Sequence, residues 1–387
     1  MPTASRAEER FFIDKGGEAS MQIVVAMDSF IGSLSSMEAN QAVLRALEGH
    51  EVTIIPISDG GEGFLDAWIA THAEGTIIEE NVVCLDGIQR VARFGFEPST
   101  KHAVIEVAET TGLTLLSHVD PWRYSSVGVG QQIVQALERG ANIITIGLGG
   151  SGTMDGGKGL LEALGVRFLD ANGAVLSTIP HRVDEVASID WSGLHPRACE
   201  VVWRMASDVQ NPLIGESGAA YVFGPQKGLA IDAVRRYDRI LDHYANRFEM
   251  DRRALPGAGA AGGIGFALLQ LGATYVSGIE EVIRWSKLEE QLEKADWLIT
   301  GEGKFDAQSF GGKAPYGLAR LAHTHGVPTL VFTGQSDYTS HMESGIVAIF
   351  PIVSRIMTLE EAIWEAAPLL TNAVQRVRHL MEKAPRQ

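Results

Sequence analysis

The chain has 387 residues, a formal net charge of −16, 45% hydrophobic and 21% charged residues. That length exceeds one compact core, so two domains are expected, and the ordinary composition excludes wholesale disorder. A surface this acidic repels phosphate backbones and anionic lipids, so neither nucleic acid nor membrane is expected as a partner. The 43 glycines are about 11% of the chain against a usual share of roughly 7%, and they cluster in short loops, where tight backbone turns need them. Cys84 and Cys199 stand far apart with no metal-ligand spacing, which reads as reduced thiols in a cytoplasmic protein. No apolar run approaches the roughly 18–20 residues of a membrane span.

Residues 1–20 lack the apolar core of a secretory signal and read as a disordered N-terminal extension. Gln22–Met27 (QIVVAM) is a strand, followed by Asp28, Ser29 and Phe30. Ser35-Ser36-Met37-Glu38 forms a capping box for a helix that runs to Leu47 and stops at Gly49. A second apolar run, 52–57, ends in the first of four Gly-rich loops. Strand, loop, helix, strand, Gly-rich loop opens a parallel α/β sheet. Further strands are expected at 103–107, 142–146 and 200–205. Near the end, 297–300, 329–333 and 347–352 are apolar without alternation, separated by a helix-like stretch at 314–325. Such runs suit strands buried on both faces of a parallel sheet. No repeat emerges. Two consecutive domains and one discontinuous domain with the middle inserted both fit; the similar texture of the two ends favours the second.

The first loop, Asp59-Gly60-Gly61-Glu62-Gly63, offers glycines for close backbone approach and carboxylates for metal or hydroxyl contacts, or is a plain turn. The second runs from Gly147 to Gly159 and includes Gly149, Gly150, Ser151 and Asp155. From Gly152 to Lys158 it fits the G-x-x-x-x-G-K of a phosphate loop, but Gly159 stands where Ser or Thr would hold Mg²⁺. An anion at the start of the following helix remains the expectation. The third loop carries G-x-G-x-x-G at Gly257, Gly259 and Gly262, preceded by Asp251-Arg252-Arg253-Ala254 rather than by the strand a dinucleotide fingerprint needs. Close helix packing or phosphate cradling fits it better. The fourth, Thr300-Gly301-Glu302-Gly303-Lys304-Phe305-Asp306 with Lys313 following, sits at a strand's carboxyl end, where open α/β sheets bind ligands; a solvated charged loop is the alternative. Asp208 closes a strand, and Gln226-Lys227 lie in a Gly/Pro turn where an ammonium can meet a phosphate or carboxylate. No histidine pair at i, i+4 and no G-x-S-x-G elbow appears, so histidine-based metal or nucleophilic catalysis has no support.

The strings VVAMDSFIGSLS, PISDGGEG, AVIEVAETTGL, LGGSGTMDGGKGLLEALGVRF, SDVQNPLIGESGAAYVFGPQKG, LPGAGAAGGIGF and LITGEGKFDAQSFGGKAP together resemble the type 1 glycerate kinases, in family order from about residue 21 to 335. The resemblance implies ATP-dependent phosphorylation of D-glycerate to 2-phosphoglycerate, with Mg²⁺. It also implies two α/β/α domains: a discontinuous Rossmann-like domain, placed at 21–80 with 287–387, and an inserted α/β domain at 81–286, with the site in the cleft between them. The residues it points to are Asp28, Ser29, Asp59, Glu62, Gly149, Gly150, Ser151, Asp155, Asp208, Gln226, Lys227, Gly301, Glu302, Asp306 and Lys313.

Phosphoryl transfer needs positioning and charge stabilisation more than covalent chemistry. Asp208 is the first choice for the base, with Asp28 and Asp306 competing for that role or for Mg²⁺, and Lys227 and Lys313 as partners of phosphate or carboxylate. The chain departs from the family at Ile31, where Lys is usual, at Met154, Lys158 and Lys304. Those departures leave open a catalytically weakened relative that binds or phosphorylates a related hydroxy acid. A nicotinamide-dependent dehydrogenase is the remaining alternative. Nothing in the sequence sets the oligomeric state.

Overall fold

The computed structural model describes residues 12–13, 19–30, 32–116, 118–306, 309–311 and 314–383. They fall into two compact units, one holding the described residues up to Ser58 and from Val282 onward, the other Asp59–Glu281. One unit is thus discontinuous and the other inserted into it, as the two similar ends of the sequence suggested. The chain leaves the first unit at Ser58 rather than near residue 80. The physical reason is strand pairing: Thr76–Val83 pairs antiparallel with Gln89–Glu97, inside the inserted unit's sheet.

The discontinuous unit is built on five parallel strands in the order Ile346–Pro351, Thr329–Ser336, Trp297–Phe305, Gln22–Met27, Glu51–Ile54. Ile23, Val25 and Met27 face one side and pack with Ala39 and Val43 of the helix Ser36–Ala46 and with Leu370 and Val374 of Ala366–Lys383. Val24 and Ala26, on the opposite side, are buried too. Burial of both faces is what the unalternating apolar runs required. The capping box forms as read: Ser35 N–H donates to Glu38 Oε2 at 2.9 Å, and Glu38 N–H donates to Ser35 Oγ at 3.2 Å. One expected loop is strand instead. Gly301–Phe305 continues the Trp297 strand, paired through Phe305 with Ser336.

The inserted unit has a six-stranded sheet in the order Thr274–Val276, Val202–Ala206, Ile143–Gly147, His102–Glu106, Gln89–Glu97, Thr76–Val83. The first four are parallel and the last two form an antiparallel hairpin at one edge. Its core gathers Ile105, Ile133, Ile144, Ile146, Leu160, Phe168, Met205 and Phe266. Within residues 1–20, Phe12–Ile13 pairs with Ala19–Ser20, and the rest of that segment lies outside the described residues. Among the described residues, no helix is long and apolar enough to cross a membrane.

Candidate active site

In the inserted unit the strands Ile143–Gly147, Val202–Ala206 and Thr274–Val276 end level, with Ala206 beside both Gly147 and Val276. The segments that follow them therefore emerge side by side. The Asp59–Gly63 loop lies directly on these ends. Gly149 N–H donates to Gly60 O at 2.9 Å, and the surrounding glycines are close because nothing larger fits. A Cβ on Gly60 would stand 2.5 Å from Ala206 O, and one on Gly278 2.1 Å from Asp59 O.

Asp208 projects from the end of the central strand into this junction. Its Oδ1 accepts from Ser277 Oγ at 2.7 Å and from Gly278 N–H at 3.0 Å. Its Oδ2 is buried and has no hydrogen-bond partner. Burial pushes this carboxyl above its ordinary range; the Ser277 hydrogen bond opposes the shift and the nearby Asp59 charge adds to it. One oxygen is thus clamped while the other has no hydrogen-bond partner.

Around it, Asp59 is exposed and its Oδ1 accepts from Gly61 N–H at 3.0 Å, while Glu62 is exposed on the same loop. Ser151 is buried and lies 2.9 Å from Thr153 through their hydroxyls. Gly150 takes a φ of +73°, the left-handed conformation that favours glycine. Gln226 is exposed on the turn that buries Lys227.

Three of the loop residues find their partners within the chain. The start of the Lys158–Ala163 helix does not await an external anion, because Asp155 fills that role. Its oxygens accept from Gly157 N–H at 3.1 Å, Gly159 N–H at 3.1 Å and Ser126 N–H at 2.8 Å. Lys158 is no phosphate lysine either. It is buried, pairs with Glu162 at 2.5 Å and donates to Ser177 O at 3.0 Å. Lys227, expected at an open turn, is buried and donates to Thr153 O at 3.0 Å. Desolvation pulls its ammonium down to about 7, and it braces the 151–155 segment from inside.

The third Gly-rich loop follows a stretch, 246–256, that contains no strand. A Cβ on Gly262 would lie 1.9 Å from Thr153 O, so that glycine serves close packing. The pyrophosphate-binding strand–turn–helix of a dehydrogenase is not formed there.

In the discontinuous unit, Asp28 follows its strand and donates its N–H to Gly301 O at 2.9 Å; Ser29 N–H donates to Asp28 Oδ1 at 2.7 Å. Gly301 is buried against the next strand: a Cβ on it would stand 1.9 Å from Phe332 O. Glu302 is buried and accepts from Ser309 Oγ at 2.6 Å, and Ser309 Oγ also accepts from Asp306 N–H at 3.1 Å. Lys304 is exposed and pairs with Asp306 at 2.9 Å. Met27 stands beside Gly301, so Asp28 and Asp306 differ by four residues along the strand direction, roughly 13 Å at about 3.3 Å per residue. Lys313 and Ile31 lie outside the described residues.

Reading the sequence missed Glu106 and the Ser277-Gly278 pair. Glu106 is the single acid of a fully buried strand, and that isolation was its only signal.

The pattern of the glycerate kinase family matches residues 23–382. Glycerate 2-kinase of Escherichia coli K12 is 40% identical over 370 residues, covering 92% of this chain and 97% of that protein. Glycerate kinase of Halalkalibacterium halodurans is 38% identical over 369 residues, again covering 92% and 97%. A crystal structure from Salmonella typhimurium LT2, of a chain assigned as glycerate kinase 2, superposes with a TM-score of 0.78 at 35% identity, covering 94% of this chain and 99% of that one.

Proposed function

The chain belongs to the glycerate kinase family, and on that premise we propose that it transfers the γ-phosphoryl group of ATP to the 2-hydroxyl of D-glycerate, giving 2-phosphoglycerate and ADP. The observation that carries the reading is Asp208, half clamped and half unpartnered at the carboxyl edge of a parallel sheet. A hydroxyl presented to Oδ2 loses its proton to that oxygen as it attacks the γ-phosphorus. The raised carboxyl narrows the gap to the alcohol's own acidity, which suits a general base. The glycine-packed junction of Gly60, Gly149 and Gly278 holds the backbone under that oxygen in fixed register. In this reading Asp59, Glu62, Gly150 and Ser151 contact substrate, while Asp155 and Lys227 shape the 151–155 segment without touching it. Asp28, Ser29, Glu302 and Asp306 are assigned to the nucleotide and its metal.

Among the described residues, no group of three His, Cys, Asp or Glu side chains is arranged to hold a metal. That donor set still suits Mg²⁺, which keeps several waters and takes one or two carboxylates plus phosphate oxygens. Asp28 and Asp306 would each serve singly. When bound, the ion neutralises charge on the β- and γ-phosphate oxygens.

A coupled ADP-release assay against a panel of small hydroxy acids tests the proposal. Release is expected with D-glycerate and is expected to vanish on adding EDTA; undiminished turnover in EDTA removes the metal from the reading. Phosphorus NMR of the product is expected to show the 2-phosphate, and a spectrum of the 3-phosphate alone would overturn the regiochemistry. Binding of glycerate without turnover would mark a weakened relative.

A further inference from the structure

The Asp59–Gly63 loop leads straight into the helix Phe64–Thr71; Phe64 N–H donates to Gly61 O at 3.1 Å, but the helix has no side-chain cap from its own N-cap residue. Gly63 stands at the cap position with φ at 88° and has no side chain to accept from the helix. The exposed N–H groups of a helix start need an acceptor. Here it comes from a distant strand: Glu106 accepts from Gly63 N–H at 3.3 Å and from Leu65 N–H at 3.1 Å, one oxygen to each. Glu106 ends the strand His102–Glu106 and is only 4% exposed.

The charged groups facing it do not pair with it. Arg93, from the neighbouring strand, gives its guanidinium to Glu109 at 2.7 Å and to Asp66 at 3.3 Å. Burial, reinforced by Glu109 and Asp66, pushes the Glu106 carboxyl up to about 8, against the opposing effect of the Leu65 and Gly63 hydrogen bonds. Its two backbone contacts are therefore not by-products of an ion pair. They are the bonds that the side chain makes in this structure.

The loop is fastened along its length, with Asp59 O packed against Gly278. Gly60 and Gly61 pack through their backbone on Gly149 and Ala206. The Glu106 carboxyl holds the loop's far end. Phe64, Leu65 and Trp68 are buried on the helix, so the helix stays attached by apolar packing without Glu106, while the Gly63 and Leu65 N–H groups lose their acceptor.

We propose that Glu106 is a positioning residue for phosphoryl transfer, holding the Asp59–Gly63 loop in register on the sheet edge that carries Asp208. The inference rests on the reading of Asp208 as the proton acceptor. A carboxyl suits this position because each of its oxygens, the hydroxyl oxygen of the protonated form included, can accept from one N–H group. Gln offers one oxygen and turns an NH₂ toward the other N–H.

Glu106→Gln in the full chain tests this, with amide hydrogen exchange and steady-state kinetics measured on the same samples well below each melting temperature. Exchange at Gly61, Gly63 and Leu65 is expected to quicken by about tenfold or more while the core strands stay protected. The kcat of ADP release is expected to fall by about tenfold or more, since small misplacements at a reacting centre are costly, with KM for ATP little changed. If the Gln variant does not fold, Glu106→Asp is measured the same way; it keeps both acceptors on a shorter stem. Unaltered loop exchange and unaltered kcat in a folded variant overturn the proposal, as does a variant whose only change is a lower melting temperature. Wild-type protein that releases no ADP with glycerate overturns the functional reading instead, and the exchange experiment then still decides whether Glu106 holds the loop.

Discussion

Asp208→Asn is expected to lower kcat by about 10²–10⁴-fold, the usual contribution of a general base, with KM for ATP nearly unchanged. The substitution is close to isosteric. The amide oxygen can keep the bonds from Ser277 Oγ and Gly278 N–H that now go to Oδ1, so the local fold survives. What changes is the buried second position. An NH₂ replaces Oδ2, the oxygen without a partner, and it cannot accept a proton from a hydroxyl. Removing a desolvated carboxyl also relieves a burial cost, so the melting temperature is expected to hold or rise.

The pH profile gives an independent check. Because the folded carboxyl is raised, the wild-type rate is expected to fall off on the acid side above the ordinary aspartate range of about 3.9. The variant's residual rate loses that limb. The sign for stability follows as well. A raised folded pKa contributes stability that is fully present below the ordinary value and is lost as pH rises through the folded one. A variant that keeps more than roughly a third of wild-type kcat with its fold intact leaves far more activity than loss of such a base allows, and the base is then another residue.

Much of this architecture was legible because local signals and tertiary demand agree. The capping box at Ser35 and the apolar run 22–27 needed no context, and the strand and helix form where they point. The position of Asp208 just past the end of its strand was legible for a similar reason, since the apolar run before it marks where the strand stops. The loops were harder, because glycine reports that the backbone is close to something without saying to what. Gly262 and Gly278 read alike in sequence. One meets Thr153 O and the other Asp59 O, and only the second lies beside the Asp208 carboxylate. Charge misled in the opposite direction. Lys227 looked available for phosphate and Lys158 closed a phosphate-loop-like string, yet both are spent inside, on Thr153 O and on Glu162. A lysine's partners are set by burial, and burial of a lone polar residue in a Gly-rich segment has no periodicity to betray it. The antiparallel hairpin of Thr76–Val83 and Gln89–Glu97 escaped for a related cause: its polar and apolar residues alternate imperfectly along a sheet edge.

Gly149→Ala is expected to abolish most activity while leaving a folded chain. A Cβ at this position would lie 2.2 Å from Gly61 Cα and 2.8 Å from Gly61 N. Both are backbone atoms, so no rotamer change relieves the contact. Gly149 does not occupy the left-handed region, so the cost is crowding rather than backbone strain. The Asp59–Gly63 loop has to lift, and the Gly149 N–H to Gly60 O bond of 2.9 Å goes with it. Overpacking of this kind costs about 1–3 kcal/mol, which a chain of this size tolerates. The catalytic effect is larger, since a displacement of about 1 Å at a reacting centre can cost on the order of 10²-fold. Thermal unfolding and ADP-release kinetics are measured together, with Gly317→Ala as the control. Gly317 lies within the helix Ala314–Thr324 and has nothing within 4 Å of a built Cβ; alanine there is expected to be neutral or to add about 0.5–1 kcal/mol of stability. Should Gly149→Ala match that control in kcat, the loop is not held by its contact with Gly149, and the register at this sheet edge does not govern the reaction.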